Sequence, residues 1–164
     1  MLEYRRGPAQ KAPRPLSTVV SATPADLDDL VWFLHAMRDE IEGGAAEEEV
    51  LVALASALVR KAGGVALIVR GEKVIEASMG LAVETPILSR RKRLRVLWNC
   101  VLPEARVTGH AKSLMIRARE MADSLKCDIL LHEVTPDPEN GKVKLAGRHM
   151  KANGHVFLYS PETA

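Results

Sequence analysis

The sequence has few of the residues that mark secreted, metal-binding or membrane-spanning proteins. Its two cysteines, Cys100 and Cys127, lie in apolar segments without metal-ligand spacing, which favours buried thiols over a disulfide framework or a zinc site. No apolar run approaches the roughly 20 residues that a bilayer-spanning helix needs. The first residues also lack the apolar centre of a secretory signal. We therefore expect a cytoplasmic protein with no membrane partner.

A large excess of charge of one sign is also missing. The formal net charge is +2, which is too small to indicate a nucleic-acid-binding face. Aromatic residues are scarce, and Trp32, Phe33 and Trp98 have no second aromatic at the spacing of a base-stacking platform. We interpret these three as core or interface residues, and we do not expect nucleic acid as a partner.

The composition of residues 1–16 differs from that of the rest of the chain. This segment carries three prolines and four arginines or lysines with little apolar content, so it cannot bury enough apolar surface to fold alone. We expect an extended basic arm that lies against a protein partner or another copy of the chain, although an unattached tail is the simpler alternative. Residues 17–164 have the size of one domain.

The spacing of apolar residues within 17–164 predicts alternating helices and strands. The predicted elements are helices at about 24–42, 47–61, 111–125 and 142–152, a hairpin centred on 71–73, and strands at 94–102, 128–134 and 155–160. A strand, helix and strand in succession from 94 to 134 requires a right-handed crossover between parallel strands, whereas the hairpin is antiparallel. The fold class is therefore α/β, with a mixed sheet and helices on both faces.

The segment between the strand at 94–102 and the helix at 111–125 is suited to binding a phosphate. A strand-to-helix junction directs backbone N–H groups and the positive end of the helix toward one point. Gly109 allows a ligand to approach the backbone closely, and Ala111 leaves the first helical turn uncrowded. A glycine at such a junction is also compatible with an ordinary turn.

Residues Arg106-Val107-Thr108-Gly109-His110-Ala111 resemble the pyrophosphate loop of the GNAT superfamily of acyl-CoA N-acyltransferases, written Arg/Gln-x-x-Gly-x-Gly/Ala. In that family the loop joins the fourth strand to the third helix, as in the order predicted above. The resemblance implies acetyl-CoA as co-substrate, an amine acceptor, and parallel strands that splay apart at the acyl-CoA site. The acyl carbonyl would lie near Asn99 to Val101. The implied cofactor-binding residues are Arg106, Val107, Thr108, Gly109, His110, Ala111, Lys112 and Val101.

The candidate catalytic residues are Glu133, His132, Tyr159 and Glu84. Glu133 and His132 lie in the strand beside the implied cleft, and either could act as a general base near neutral pH. Glu84 ends a hairpin strand, and Tyr159 could serve as an acid. The alternatives are a solvated carboxylate for Glu133, a hydrogen-bonded interior ring for His132 and half-buried packing for Tyr159.

The sequence departs from the family pattern at a position that bears on function. The tyrosine acid of the family falls at position 150, which is Met150 in this chain. Two hypotheses follow: an N-acetyltransferase that works by direct attack of a primary amine, or a catalytically silent structural or adaptor protein in a bacteriophage virion or another assembly. The stretch DLDDLVWFLHAMRDE resembles small GNAT-like proteins of tailed bacteriophages, which favours the second hypothesis.

The basic run at residues 89–95 has several interpretations. It could bind the adenosine 3′-phosphate of CoA, an acidic protein or nucleic acid, or it could be a solvated loop.

Overall fold

The computed structural model describes residues 15–88, 90–131 and 146–148. It divides the chain into two units, Met1–His132 and Glu133–Ala164. In the second unit the described residues, 146–148, are helical, within the helix predicted at 142–152. Most of the arm predicted at 1–16 and the strand predicted at 155–160 lie outside the described residues.

The first unit is built from five strands and three α-helices within its described residues. The strands are β1 (Val20–Ser21), β2 (Gly64–Arg70), β3 (Ile75–Glu84), β4 (Arg93–Val101) and β5 (Asp128–Leu130), and the helices are α1 (Leu27–Ala36), α2 (Glu48–Val59) and α3 (His110–Leu125).

The strands form one mixed sheet in the order β1-β2-β3-β4-β5. The first three pairs are antiparallel, and β4 pairs with β5 in parallel through the α3 crossover. Five successive residues of β2, from Val65 to Val69, are buried, which requires cover on both faces because alternate side chains point to opposite sides. Helices α1 and α2 pack on each other and on the sheet, and α3 packs across β2 to β5. The predicted α/β fold class is confirmed.

The chain enters α1 through a capped turn. Asp26 accepts hydrogen bonds from the backbone N–H and the hydroxyl of Thr23, at 2.7 and 2.8 Å. Pro24 occupies the first position of the turn at Pro24–Asp26, where its missing N–H costs nothing. Together these residues explain the start that the sequence predicts for this helix.

The first helix is shorter than its periodicity suggests. A single helix over 24–42 was expected, but α1 ends at Ala36 and a 3₁₀ segment, Arg38–Gly44, follows it. Met37 and Ile41 are both buried. The apolar spacing therefore continues through the break, and the periodicity alone could not reveal it.

Two β-bulges in the sheet affect where side chains lie near the end of β4. Gly80 pairs with Trp98 and Leu81 pairs with Val96, so Leu97 is an extra residue on β4. On the other side of β3, Val69 pairs with Ala77 and Arg70 with Ile75. Glu76 is thus the extra residue there. Such bulges redirect side chains locally and often lie beside functional sites.

Candidate functional site

The junction between β4 and α3 has the geometry that the sequence predicts for a phosphate-binding loop. After β4 ends at Val101, a 3₁₀ turn at Pro103–Ala105 leads into the turn that precedes α3. Gly109 is the N-cap of α3 and has φ of 86°, a left-handed conformation that favours glycine. A Cβ added at Gly109 would meet no atom within 4 Å. The loop is therefore open at the point where a ligand would approach.

The first N–H groups of α3 are available to a ligand. The first backbone bond into this helix runs from the N–H of Ser113 to the carbonyl of Gly109, at 3.2 Å. Among the described residues, the N–H groups of His110, Ala111 and Lys112 have no backbone acceptor. Glycine also provides no capping side chain. Orphan N–H groups at the positive end of a helix form a ready anion-binding site.

Two side chains of the loop, those of Arg106 and Thr108, make contacts within the protein. The Nε of Arg106 donates to the carbonyl of Val101 at 3.3 Å, and its guanidinium pairs with Glu40. The hydroxyl of Thr108 donates to the carbonyl of Ala105 at 2.5 Å. These contacts stabilise the turn. Because the Arg106 guanidinium is engaged within the protein, the backbone N–H groups are the chief hydrogen-bond donors for a ligand among the described residues.

The remaining predicted cofactor-binding residues have different environments. Val107 and Lys112 are exposed, Ala111 is half-buried and Val101 is buried. His110 is buried, with 8% of its surface exposed, and its side chain makes contacts within the protein. Binding of acyl-CoA by these residues stays a prediction.

The pairing of β4 with β5 is described over three residues of β4, Arg93, Leu94 and Arg95. Residues 132–145, which follow β5 in the chain, lie outside the described residues. The splayed strands that the GNAT resemblance implies therefore stay a prediction.

Asn99 lies in β4. In the described part of the chain, its Oδ1 is the one buried side-chain polar atom without a hydrogen-bond partner. A buried polar group without a partner costs about 1 to 3 kcal/mol. The acyl carbonyl was expected near Asn99 to Val101. Sequence reasoning placed Asn99 there but did not identify its side chain as a functional candidate, because an unsatisfied atom is visible only in three dimensions.

Glu84 lies at the opposite end of β4 from the loop. It pairs with Arg93 in the β3–β4 ladder, and its carboxylate accepts from Arg93 at 3.2 Å and from Arg95 at 3.3 Å. At about 3.3 Å per residue, roughly 26 Å of strand separate this end from Val101. The proposed catalytic role of Glu84 thus has no geometric link to the loop in the described residues. The other catalytic candidates, His132, Glu133 and Tyr159, lie outside those residues, as does Met150.

The cysteines and acidic side chains of the described residues do not meet the requirements of a metal site or a disulfide. Within residues 15–88, 90–131 and 146–148, no group of three His, Cys, Asp or Glu residues could hold a metal ion. Cys100 is buried, and neither cysteine is in a disulfide there. Burial raises the pKa of the half-buried Cys127, and Asp128 adds to that shift. Cys100 is thus the buried thiol that the sequence predicts, whereas Cys127 is only half-buried.

None of the helices in the described part of the chain combines the length and the apolar character that crossing a bilayer requires.

Several solved structures with a similar fold are acetyltransferases by name. A possible acetyltransferase from Clostridium difficile 630 is 19% identical over 89% of this chain and 98% of its own, with a TM-score of 0.68. A ribosomal-protein-alanine N-acetyltransferase from Brucella melitensis biovar Abortus 2308 is 13% identical over 89% and 99%, with a TM-score of 0.70. AAC(6')-Iy in complex with the bisubstrate analog CoA-S-monomethyl-acetylneamine is 14% identical over 89% and 98%, with a TM-score of 0.68.

No protein-family model matches the sequence, and no curated protein matches it. The similarity is thus one of structure at low identity, and it agrees with the strand order, the α3 crossover and the loop at Gly109 described above. The chain has the GNAT fold of acetyltransferases.

Proposed function

We propose that this chain is an N-acetyltransferase that moves an acetyl group from acetyl-CoA to a primary amine by direct attack. The observation that carries the proposal is the set of N–H groups at His110, Ala111 and Lys112, which have no backbone acceptor among the described residues and follow the open Gly109 turn. A pyrophosphate is the ligand that such donors favour. The GNAT fold of the neighbours supports the same substrate class.

Different elements of the chain would bind different parts of acetyl-CoA. The first turn of α3 would hold the pyrophosphate, and backbone groups near the end of β4 at Val101 would pair with the extended part of the molecule. The buried Oδ1 of Asn99 is an acceptor available for a donor of the bound substrate. Acetyl-CoA supplies the activated acetyl group, and no covalent enzyme intermediate is required.

The amine must lose a proton during transfer, and a general base provides this step. Glu133 and His132 are our candidates for the base, Tyr159 for the acid, and Glu84 is the fourth candidate from the sequence. Removing the base should lower turnover by roughly 100-fold to 10,000-fold without a comparable change in acetyl-CoA affinity. Glu133→Gln, His132→Ala, Tyr159→Phe and Glu84→Gln test these roles separately.

The test of the proposed function is a titration with acetyl-CoA by calorimetry, followed by detection of released CoA thiol with a panel of amines. The neighbours guide the panel: a peptide that begins with alanine, as one of them is named for ribosomal-protein alanine, and neamine, as another holds an acetylneamine analog. Binding with turnover on any amine supports the proposal. Absence of binding at millimolar acetyl-CoA would refute it.

The silent adaptor hypothesis makes a different prediction for the same experiment. It is motivated by Met150 at the position of the usual tyrosine acid. Acetyl-CoA binding without turnover on any amine, together with gain of turnover in Met150→Tyr, would favour a chain that keeps the fold and has lost catalysis. Whether such a chain belongs to a virion would then be tested by its assembly with partner proteins.

A further inference from the structure

The side chain of His110 connects three distant parts of the chain. Its Nδ1 lies 2.6 Å from the Oγ of Ser17, and its Nε2 lies 2.8 Å from Oε2 of Glu76. Ser17 precedes β1, Glu76 lies in β3, and His110 is the first residue of α3. The proposed acetyl-CoA site uses only the backbone of His110. The Ser17-His110-Glu76 cluster is therefore not explained by that function.

The carboxylate of Glu76 determines how the cluster is protonated. A carboxylate only accepts hydrogen bonds, so the Nε2 of His110 carries the hydrogen and donates it. In a neutral imidazole the other nitrogen, Nδ1, then holds a lone pair. It accepts the hydroxyl hydrogen of Ser17. This polarity, from serine to histidine to carboxylate, is the one that activates a serine nucleophile.

The three residues are held in place by neighbouring contacts. The backbone N–H of Ser17 donates to the hydroxyl of Ser113 at 2.9 Å, and the Ser113 hydroxyl donates to the carbonyl of Gly109 at 3.3 Å. Glu76 is the extra residue at its bulge, and a Cβ on Gly71 would lie 2.2 Å from its Oε1. The carboxylate thus lies directly against the backbone of Gly71, in a position that only a glycine there permits.

Ser17 is also accessible. It is half-buried and lines a groove of about 240 Å³ between the segment that leads into β1 and helix α3. Leu16, Val19 and Ile116 give the groove an apolar wall. The charged residues at its lining, Arg117 and Glu120, pair with each other at 3.0 Å. The groove therefore offers apolar contacts to a small acyl group beside Ser17, and its two charged residues neutralise each other.

We propose that Ser17, His110 and Glu76 form a second reactive centre that hydrolyses small apolar esters or thioesters. The Oγ of Ser17 bonds to the carbonyl carbon while its proton passes to Nδ1 of His110. That proton then passes to the leaving alcohol or thiol as the C–O or C–S bond breaks. A water molecule attacks the acyl-serine by the same route, giving one proton through Nδ1 back to Oγ and releasing the acid. Glu76 orients the ring and stabilises the imidazolium.

A fluorophosphonate probe tests this proposal, because it forms a covalent adduct with activated serine hydroxyls. The full chain is incubated with the probe, and the adduct is followed by intact mass and located by peptide mapping. We expect one adduct, on Ser17, that is absent from Ser17→Ala. Glu76→Gln should slow labelling by up to roughly 10,000-fold, the effect of converting the orienting carboxylate of a Ser-His-Asp triad to an amide. Hydrolysis of p-nitrophenyl acetate should fall in the same variants.

Thr18→Ala is the matched control, because Thr18 is the exposed neighbour of Ser17 and has no hydrogen bond among the described residues. It should label like the unmodified chain. If Glu76→Gln fails to fold, Gly71→Ala displaces the same carboxylate from the opposite side and should also slow labelling. Labelling elsewhere, no labelling, or an unchanged rate after the carboxylate is displaced would overturn the proposal. It would leave the acetyl-CoA site untouched, since the probe reaction needs no acetyl-CoA.

Discussion

Substitution of Gly109 by valine should weaken acetyl-CoA binding while leaving the protein folded. The left-handed backbone at Gly109, with φ of 86°, disfavours any other residue, and such a position costs about 1 to 3 kcal/mol for a residue with a Cβ. No atom lies within 4 Å of the added Cβ, so no clash adds to this cost. For a chain of this size, each kcal/mol lowers the melting temperature by about 2 to 4 °C.

The loss of affinity has a separate cause. A valine side chain at the N-cap would stand where a ligand must approach the N–H groups of His110 to Lys112. Losing one hydrogen bond to a charged group costs about 1.5 to 3 kcal/mol, which corresponds to roughly a 10-fold to 100-fold rise in the dissociation constant. Calorimetric titration of both proteins with acetyl-CoA measures this change.

Gly63 provides a matched control for the same experiment. It has a similar φ, 77°, and a Cβ added there also meets no atom within 4 Å. Gly63 lies between α2 and β2, away from the turn that precedes α3. Gly63→Val should therefore lower the melting temperature by a similar amount and leave the affinity unchanged. Equal affinity in all three proteins, or an equal loss in both variants, would refute the assignment of the loop.

Three further predictions concern the fold and the arm. Gly80→Ala should destabilise the protein by about 1 to 3 kcal/mol in thermal denaturation, because the added Cβ would lie 2.7 Å from the buried ring of Trp98. That ring cannot easily move, since its Nε1 donates a 3.0 Å hydrogen bond to Ser78. Recovery of the melting temperature in Gly80→Ala/Trp98→Leu is the check. Burial alone would raise the pKa of Asp26, but hydrogen bonds from Arg70 and Thr23 hold it below 3.8. Asp26→Asn should thus cost up to about 1 kcal/mol at neutral pH, the range of surface ion pairs, and the difference should vanish as the pH falls through that lowered pKa, since protonation removes the same stabilisation. Deleting residues 1–16, the arm proposed to contact a protein partner or another copy of the chain, should weaken assembly in sedimentation with little change in the melting temperature.

The parts of the fold that sequence predicted well are those set by local patterns. The apolar stripe of α3, the hairpin around Gly71 and the apolar run of β4 each match the structure to within a residue or two. Parallel pairing of β4 with β5 followed from the crossover rule. The strand β1 was missed because two residues are too few to show a period, and its only support is the edge of β2.

In the candidate site, too, local features were predicted and contacts between distant segments were not. Gly109 and the start of α3 were predicted from a local motif, because a left-handed turn before a helix has a sequence signature. The unsatisfied Asn99 Oδ1 could not be predicted, since burial of a single atom depends on packing from distant segments. Arg106 was expected to contact the ligand, but its pairing with Glu40 depends on a 3₁₀ segment 66 positions earlier in the chain. No local sequence pattern predicts a contact between residues that far apart in the chain.

His110 illustrates the limit of motif reasoning most directly. In the loop pattern its position is an unspecified one, because the pattern constrains only the backbone that faces the phosphate. The side chain is therefore free to be selected for other contacts, and here it reaches Ser17 and Glu76, which are 93 and 34 positions away in sequence. The ring is buried while the N–H of the same residue has no backbone acceptor among the described residues. One residue can thus contribute its backbone to an anion-binding loop and its side chain to a separate hydrogen-bonded cluster, because the two use different atoms.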